Sequence, residues 1–313
     1  MTAQPYDALP SIGPAVVTLG VFDGVHVGHR HLLGATRRAA VVAEAASVVL
    51  VFTPHPDEVI RPGSSVPRLL PPTTTLERLR SVGIDHALEI RFDDELRSLA
   101  PEDFLRGLAP AIELRAVVMS RNSAFGRGRA GTLDRVGEIA REQGFEAIGV
   151  DPLLVDGAPM SSSRIRDALA AGDVDAATHH LVGPPLLRGT VVHGDRRGRE
   201  LGFPTANLAF DYHAALPALG IYLGRVAVPE RGVGPGHPAL VSVGVRPTFH
   251  DDGRVLVEVY LLDWDGDLYD TTLDVELSHR LRAERRFEST DALVAQMRRD
   301  EDEARRLIGL DGG

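Results

Sequence analysis

Along the first half of the chain, short apolar and β-branched runs alternate with stretches in which apolar residues return every three or four positions. The runs predict strands at 15–22, 47–52, 86–90, 116–120 and 146–150, and the stretches predict helices at 29–45, 74–82, 101–108, 133–143 and 163–170. Strands alternating with helices assemble into an open parallel sheet covered by helices, so an α/β domain is expected. The period changes at Leu181-Val182-Gly183-Pro184-Pro185, where Gly-Pro-Pro stops a helix. Beyond it, 187–193, 220–228, 239–243, 256–262 and 272–277 read as strands parted by Gly, Pro and Asp turns, with one long helix at 290–308. That spacing predicts a small antiparallel β-barrel followed by a helix, and domains at 1–183 and 184–313.

Composition narrows the classes. With 313 residues, 43% of them hydrophobic, the chain can fill two cores. A net charge of −10 argues against a general binder of nucleic acid or membrane surfaces, which reward a cationic footprint. The absence of cysteine excludes disulfides, thiolate catalysis and cysteine-ligated zinc, and fits a cytoplasmic setting. No signal peptide and no membrane span are expected, and the chain should act as a monomer or weak oligomer.

Two segments carry candidate chemistry. The first strand runs into Gly20-Val21-Phe22-Asp23-Gly24-Val25-His26-Val27-Gly28-His29, and a helix starts near the second histidine. Glycines admit a ligand close to the backbone, a helix start offers free N–H groups, and imidazoles donate to phosphate oxygens. Two surface histidines beside a turn, or a zinc pair lacking a third ligand, are alternative readings. Ser161-Ser162-Ser163-Arg164-Ile165-Arg166 opens a second helix; any one serine could be an N-cap, but three hydroxyls and two guanidinium groups exceed what a cap needs.

In the second half, Val192-His193-Gly194-Asp195-Arg196-Arg197-Gly198-Arg199 precedes Leu201-Gly202-Phe203-Pro204-Thr205-Ala206-Asn207. A glycine- and arginine-rich loop can cover a polyphosphate, or be a plain hairpin; Thr205 and Asn207 bring hard oxygen ligands suited to Mg²⁺. Glu258, on an alternating strand, reads from the residues alone as an outward surface group.

The glycine-histidine run, Phe52-Thr53-Pro54-His55-Pro56 and the serine-arginine run resemble, in that order, the nucleotidyltransferase module of the bacterial bifunctional riboflavin kinase/FMN adenylyltransferases. The resemblance continues in Pro204-Thr205-Ala206-Asn207, Gly220-Ile221-Tyr222, Ser242 to Phe249 and Glu258 to Asp263, which are similar to a riboflavin kinase module. It implies a Rossmann-like nucleotidyltransferase domain and a riboflavin kinase barrel, with riboflavin, FMN and ATP as substrates and Mg²⁺ as cofactor. His26 and His29 would stabilise the transferring phosphoryl group, while Gly20, Phe22, Asp23, Gly24, Gly28, Asn122, Ser161, Ser162, Ser163, Arg164 and Arg166 would bind its nucleotide. Phe52, Pro54, His55, Pro56 and Phe125 would hold the flavin there. In the kinase, Gly194, Arg199, Gly202 and Pro204 would bind nucleotide, Thr205 and Asn207 would hold Mg²⁺, Asn207 and Glu258 would be catalytic, and Arg282 would touch flavin.

One stretch departs from the family pattern. Ser120-Arg121-Asn122-Ser123-Ala124-Phe125-Gly126 has Arg121 for a carboxylate, Ser123 for an aromatic and Ala124 for an arginine, which bears on nucleotide or flavin choice. A kinase with an altered nucleotidyltransferase, and a flavin sensor without turnover, are the competing functions.

Other signals carry less. Gly126 to Gly131 has dinucleotide-fingerprint spacing, but Arg121 to Phe125 separate it from its strand. Asp263, Asp265 and Asp267 suit a hairpin turn, since Leu268 stands where a calcium loop needs glycine. Leu293, Met297, Ala304 and Leu307 read as the core face of the last helix, with 298–303 solvated, and Arg280 and Arg282 as a flavin-closing segment or a basic helix end.

Overall fold

The computed structural model describes residues 3–194, 201–245 and 255–311. They form two compact units: one runs to Val66 and resumes at Pro72–Ser162, and the other joins Pro67–Pro71 to the chain from Ser163 onward.

In the first unit, β1 (Gly13–Gly20), β2 (Ala46–Thr53), β3 (His86–Arg91), β4 (Ile112–Ser120) and β5 (Glu146–Val150) form a parallel sheet in the order β3-β2-β1-β4-β5. The helices are α1 (Val27–Val42), α2 (Pro56–Ile60), α3 (Pro72–Ser81), α4 (Asp94–Ser98), α5 (Pro101–Gly107) and α6 (Leu133–Gln143). Residues 67–71, between α2 and α3, lie with the other unit. Both faces of the sheet are covered, which is why its strands read as unbroken apolar runs. Val17, Leu50 and Val117 join Phe104 and Ile139 on one side, while Val16, Ala116 and Val118 meet Ala40 on the other. The chain reverses its winding between β1 and β4, and a doubly wound sheet opens its ligand crevice at such a point. A short hairpin of β6 (Leu154–Val155) and β7 (Ala158–Pro159) follows β5.

In the second unit, α7 (Ser162–Ala171) and α8 (Val174–Leu181) precede a closed barrel of β8 (Leu186–Val192), β9 (Ala206–Ala209), β10 (Gly220–Val228), β11 (Val233–Val245), β12 (Val255–Leu261) and β13 (Thr272–Ala283). The first residue of α7, Ser162, is counted with the other unit. Inward residues alternate: Val257, Val259 and Leu261 fill the interior with Val241, Leu208, Tyr222 and Val275, so Leu256, Glu258 and Tyr260 face outward. Val174 of α8 shares that core, which draws residues before 183 into the barrel unit. The last helix, α9 (Thr290–Asp311), packs Ala304, Leu307 and Ile308 on Leu223, Leu240 and Leu262 of the outer surface.

Five expected strands and the helix at 133–143 lie within a few residues of their predicted places in the first unit. The barrel needed more than the pattern offered. β9 is only four residues, Ala-Asn-Leu-Ala, and had no apolar run to reveal it, yet it closes the barrel between β8 and β12. β11 starts at Val233 rather than 239 despite its glycines and prolines, and β13 continues to Ala283, so Arg280 and Arg282 are strand residues and not a helix end.

Candidate active sites

The first site grows from the end of β1. Phe22, Gly24 and Val25 have φ of 53°, 86° and 44°. Left-handed backbone at a β-branched residue is strained and persists only where packing enforces it. Phe22 and Val25 are buried and provide that packing. The loop ends at His26, the N-cap of α1, whose Nδ1 accepts from the His29 backbone N–H at 3.3 Å. A neutral His26 therefore carries its proton on Nε2. The two imidazoles stack, with centroids 3.6 Å apart and planes 16° from parallel. Gly28 makes this possible: a Cβ there would lie 3.1 Å from His26 Cε1 and 3.3 Å from Met160 Cβ.

Burial, then the neighbouring His26, hold the His29 pKa well below the usual 6.5. Its Nδ1 is buried and has no hydrogen-bond partner among the described residues. A neutral His29 stacked on His26 at a helix start offers an N–H donor without the cost of burying an imidazolium. No zinc arrangement accompanies it, since no group of three His, Cys, Asp or Glu side chains with metal-binding geometry occurs among the described residues.

Ser162 Oγ donates to the carbonyl of Asp23 at 2.9 Å, so the serine segment reaches the glycine-histidine loop. Ser161 is half-buried beside it, and Ser163, Arg164 and Arg166 lie in the contact unit of the barrel. Arg166 Nε donates to the carbonyl of Pro67 at 2.6 Å, and Ser163 is exposed. At the end of β4, Asn122 is exposed and its Oδ1 accepts from Ser120 Oγ at 2.7 Å. The adjacent Arg121 places Nε 3.0 Å from Asp151 Oδ1, lying across Gly149 with Cζ 3.4 Å from where a Cβ would stand.

The expected flavin residues of this site divide. Phe125 and Phe52 are core side chains, one 5.5 Å from Phe104 and the other 5.4 Å from Phe92, each edge-on. Pro54, His55 and Pro56 form the turn into α2, where His55 Nδ1 accepts from the Asp57 N–H at 3.1 Å. The fingerprint-like glycines instead make a turn of 3-10 helix at Arg127–Arg129.

The second site is a cavity of about 1220 Å³ at the barrel, lined by outward residues such as Glu258 and Tyr260 and also by Val259 and Leu261 of the interior set. Across neighbouring strands, Ser242, Glu258 and Asn207 stand in one row, and all three line the cavity. Thr205 Oγ1 donates to Glu258 Oε1 at 3.3 Å. Gly194 passes over Asn207 so closely that any side chain there would strike the amide. Gly202 turns the chain with φ 83°, and Phe203 packs edge-on against Tyr260 at 5.4 Å, which fixes Pro204 and Thr205. Arg199 lies outside the described residues. Glu258 is thus an outward residue and a cavity residue at once, because the outer face is roofed.

The roof corrects two sequence readings. Leu293 and Met297 line the cavity rather than serving only as core, and Asp300, within the run expected to be solvated, is 5% exposed. The Trp264 to Tyr269 loop, discounted as a turn, forms another wall, and the His193 and Tyr269 rings meet at a tilt of 36° with centroids 3.9 Å apart. Glu284 was missed altogether: its carboxylate crosses β11 where Gly244 lacks a side chain, 2.5 Å from the position a Cβ would take. An apolar stripe on a helix looks the same in sequence whether it faces core or ligand, and only the Gly244 position hinted at the crossing.

An α/β sheet with a phosphate-type helix start at its switch point, joined to a barrel bearing a Thr-Asn-Glu cavity, defines a transferase with one site on each fold. The FAD synthetase family pattern matches residues 10–164 and the riboflavin kinase pattern residues 181–308. The bifunctional riboflavin kinase/FMN adenylyltransferase of Pseudomonas fluorescens is 36% identical over 93% of this chain and 92% of its own length, and that of Listeria monocytogenes is 32% identical over 93% and 91%. This chain belongs to the bifunctional riboflavin kinase/FMN adenylyltransferase family, as its motifs implied. A crystal structure of a macrolide-efflux protein from Streptococcus pneumoniae superposes with a TM-score of 0.87 at 30% identity, covering 97% of this chain and 98% of that one. Among the described residues no helix is long and apolar enough to cross a membrane.

Proposed function

We propose that residues 184–313 phosphorylate riboflavin to FMN with ATP and that residues 1–183 adenylylate FMN to FAD. In the first step the 5′-hydroxyl oxygen of riboflavin bonds to the γ-phosphorus as the bond to the β,γ-bridging oxygen breaks and ADP leaves. Glu258 receives the hydroxyl proton. In the second, a phosphate oxygen of FMN bonds to the α-phosphorus of ATP and pyrophosphate departs. His26 and His29 donate N–H groups to the transferring phosphate, with the N-terminus of α1 adding its dipole. The observation that carries the reading is the Thr205 Oγ1 to Glu258 Oε1 hydrogen bond inside a cavity that Asn207 also lines.

The donor set fits Mg²⁺: Thr205 Oγ1 keeps lone pairs after donating to Glu258, and Asn207 offers an amide oxygen one strand away. Bound there, the ion would supply charge neutralisation for the polyphosphate. Thr205 and Asn207 give the cavity polar groups that suit the nucleotide, and Leu293, Met297 and Leu240 give it apolar surface that suits the flavin ring. A cytoplasmic monomer or weak oligomer without nucleic-acid or membrane partners is consistent with the charge and the lack of cysteine.

A second reading, in which the nucleotidyltransferase prefers another nucleotide or flavin, draws on the Arg121–Asp151 pair at the end of β4. Incubation with riboflavin and Mg²⁺-ATP, with FMN and FAD followed by chromatography, separates them. Both products are expected; FMN alone selects the second reading, and neither product sinks both.

A further inference from the structure

The last helix is tied to β13 by a buried ion pair whose purpose the apolar packing leaves unexplained. Arg282 Nε lies 2.9 and 3.0 Å from the two carboxylate oxygens of Asp300, and its NH2 donates to Oδ2 at 2.7 Å. Gln296 Nε2 adds a bond to Asp300 Oδ1 at 2.7 Å, and Arg282 NH1 donates to the carbonyl of Ala283 at 3.1 Å. The side chains of Arg282 and Asp300 are 18% and 6% exposed. Removing two charges from water is costly, and a well-packed apolar pair of equal volume often serves stability as well or better. Ala304, Leu307 and Ile308 already attach the later turns of α9 to the barrel by apolar contact.

What those contacts do not fix is the first half of the helix. Leu293 and Met297, seven and three residues before Asp300, share its helix face and give the cavity part of its apolar wall, beside Arg282 and Asp300, which line the cavity too. A bidentate guanidinium–carboxylate fork is directional where apolar packing is not, so it sets both the rotation and the depth of that wall. We propose that Arg282, Asp300 and Gln296 are positioning residues of the kinase site, holding Leu293 and Met297 in register for the flavin ring, and that Arg282 acts through Asp300 rather than by contact with flavin. This rests on the kinase reading above.

Steady-state kinetics of FMN formation on the full chain test it. Asp300→Asn should raise the riboflavin KM about tenfold while kcat and the ATP KM stay within about twofold, the pattern of lost ground-state binding. Arg282→Gln should match it, and the double variant should be no worse than either single one, because both remove the same link. Asp300→Glu, which keeps the fork, should recover part of the loss. The apolar pair Arg282→Met with Asp300→Leu guards against a folding artefact: it should melt no lower than wild type and still show the raised riboflavin KM. Additive losses would make Arg282 a direct flavin contact and overturn the proposal, as would an unchanged KM in Asp300→Asn or in the apolar pair. An inactive wild type would instead overturn the kinase reading, so the two failures are distinct.

Discussion

The hydroxyl of Ser162 donates to the main-chain carbonyl of Asp23 at 2.9 Å, joining two loops 139 residues apart in the chain. Each loop ends on a helix start, and the bond sets the serine hydroxyl beside the loop that leads into His26 and His29. A neutral, part-buried hydrogen bond of this kind contributes about 1 kcal/mol. Ser162→Ala should therefore lower the melting temperature by only a few degrees but cut adenylylation of added FMN about tenfold, since the loop loses the bond that holds Asp23 in place. FMN formation from riboflavin, measured on the same preparation, should be unchanged.

Gly28 offers a sharper separation of stability from activity. It sits in the first turn of α1, and glycine in a helix is about 1 kcal/mol less favourable than alanine. On propensity alone Gly28→Ala stabilises the helix. The new methyl would stand 3.1 Å from His26 Cε1 and 3.3 Å from Met160 Cβ, tight enough to push the imidazole off its stack with His29. The expected outcome is FAD formation reduced by about tenfold or more with FMN formation intact. Normal FAD formation would mean that the stacked geometry is not required.

The His29 shift gives a pH prediction with a definite sign. Burial holds the folded-state pKa well below 6.5, its value when exposed. Above that value both folded and unfolded chains carry neutral His29 and it contributes nothing to the pH slope. As pH falls through 6.5 the unfolded chain takes up the proton first, so stability drops with acidification by at most one proton's worth of slope. Urea unfolding between pH 8 and pH 5 should show a component of this slope that His29→Gln removes.

The alternation of strand and helix made the parallel sheet legible, because both its faces are buried and every strand is an apolar run. The barrel was only partly legible: β9 is too short to show a period, and β13 runs on through Arg280 and Arg282, whose charges also suit a basic helix end. Motif chemistry singled out His26, His29, Thr205 and Asn207, and the family resemblance alone singled out Glu258. It could not reveal that Leu293, Met297 and Glu284 line the same cavity as Thr205, Asn207 and Glu258, since those residues come together only when the chain after β13 folds back against the barrel. Phe125 shows the opposite limit, a motif position whose side chain is spent on core packing against Phe104.

Glu258 lies between Ser242 and Asn207 on adjacent strands and accepts from Thr205 Oγ1. Glu258→Gln keeps the shape and the accepting oxygen but loses the base. FMN formation should fall by about 10²-fold to 10⁴-fold, the usual contribution of general-base catalysis. Adenylylation of added FMN should persist, and His29→Ala should give the reverse pattern. Loss of both activities in either variant would contradict independent sites.

The family resemblance leads one to expect a carboxylate where this chain has Arg121, so installing the acid with Arg121→Asp invites the expectation of a better adenylyltransferase. The structure argues for the opposite outcome. Arg121 Nε is 3.0 Å from Asp151 Oδ1, with side chains 58% and 84% exposed, so the pair itself adds little to stability. Reversing one charge would leave two carboxylates facing each other at the end of β4, which would repel a polyanionic triphosphate in the proposed nucleotide site. Arg121→Asp should thus raise the ATP KM for FAD formation several-fold at low salt. The rise should shrink as ionic strength shortens the screening length from about 30 Å at 0.01 M to about 10 Å at 0.1 M. The exchange Arg121→Asp with Asp151→Arg, which restores one charge of each sign, should return the KM toward wild type. If the single variant instead lowers KM at every salt concentration, the ion pair is a burden on the site and not part of its electrostatic balance.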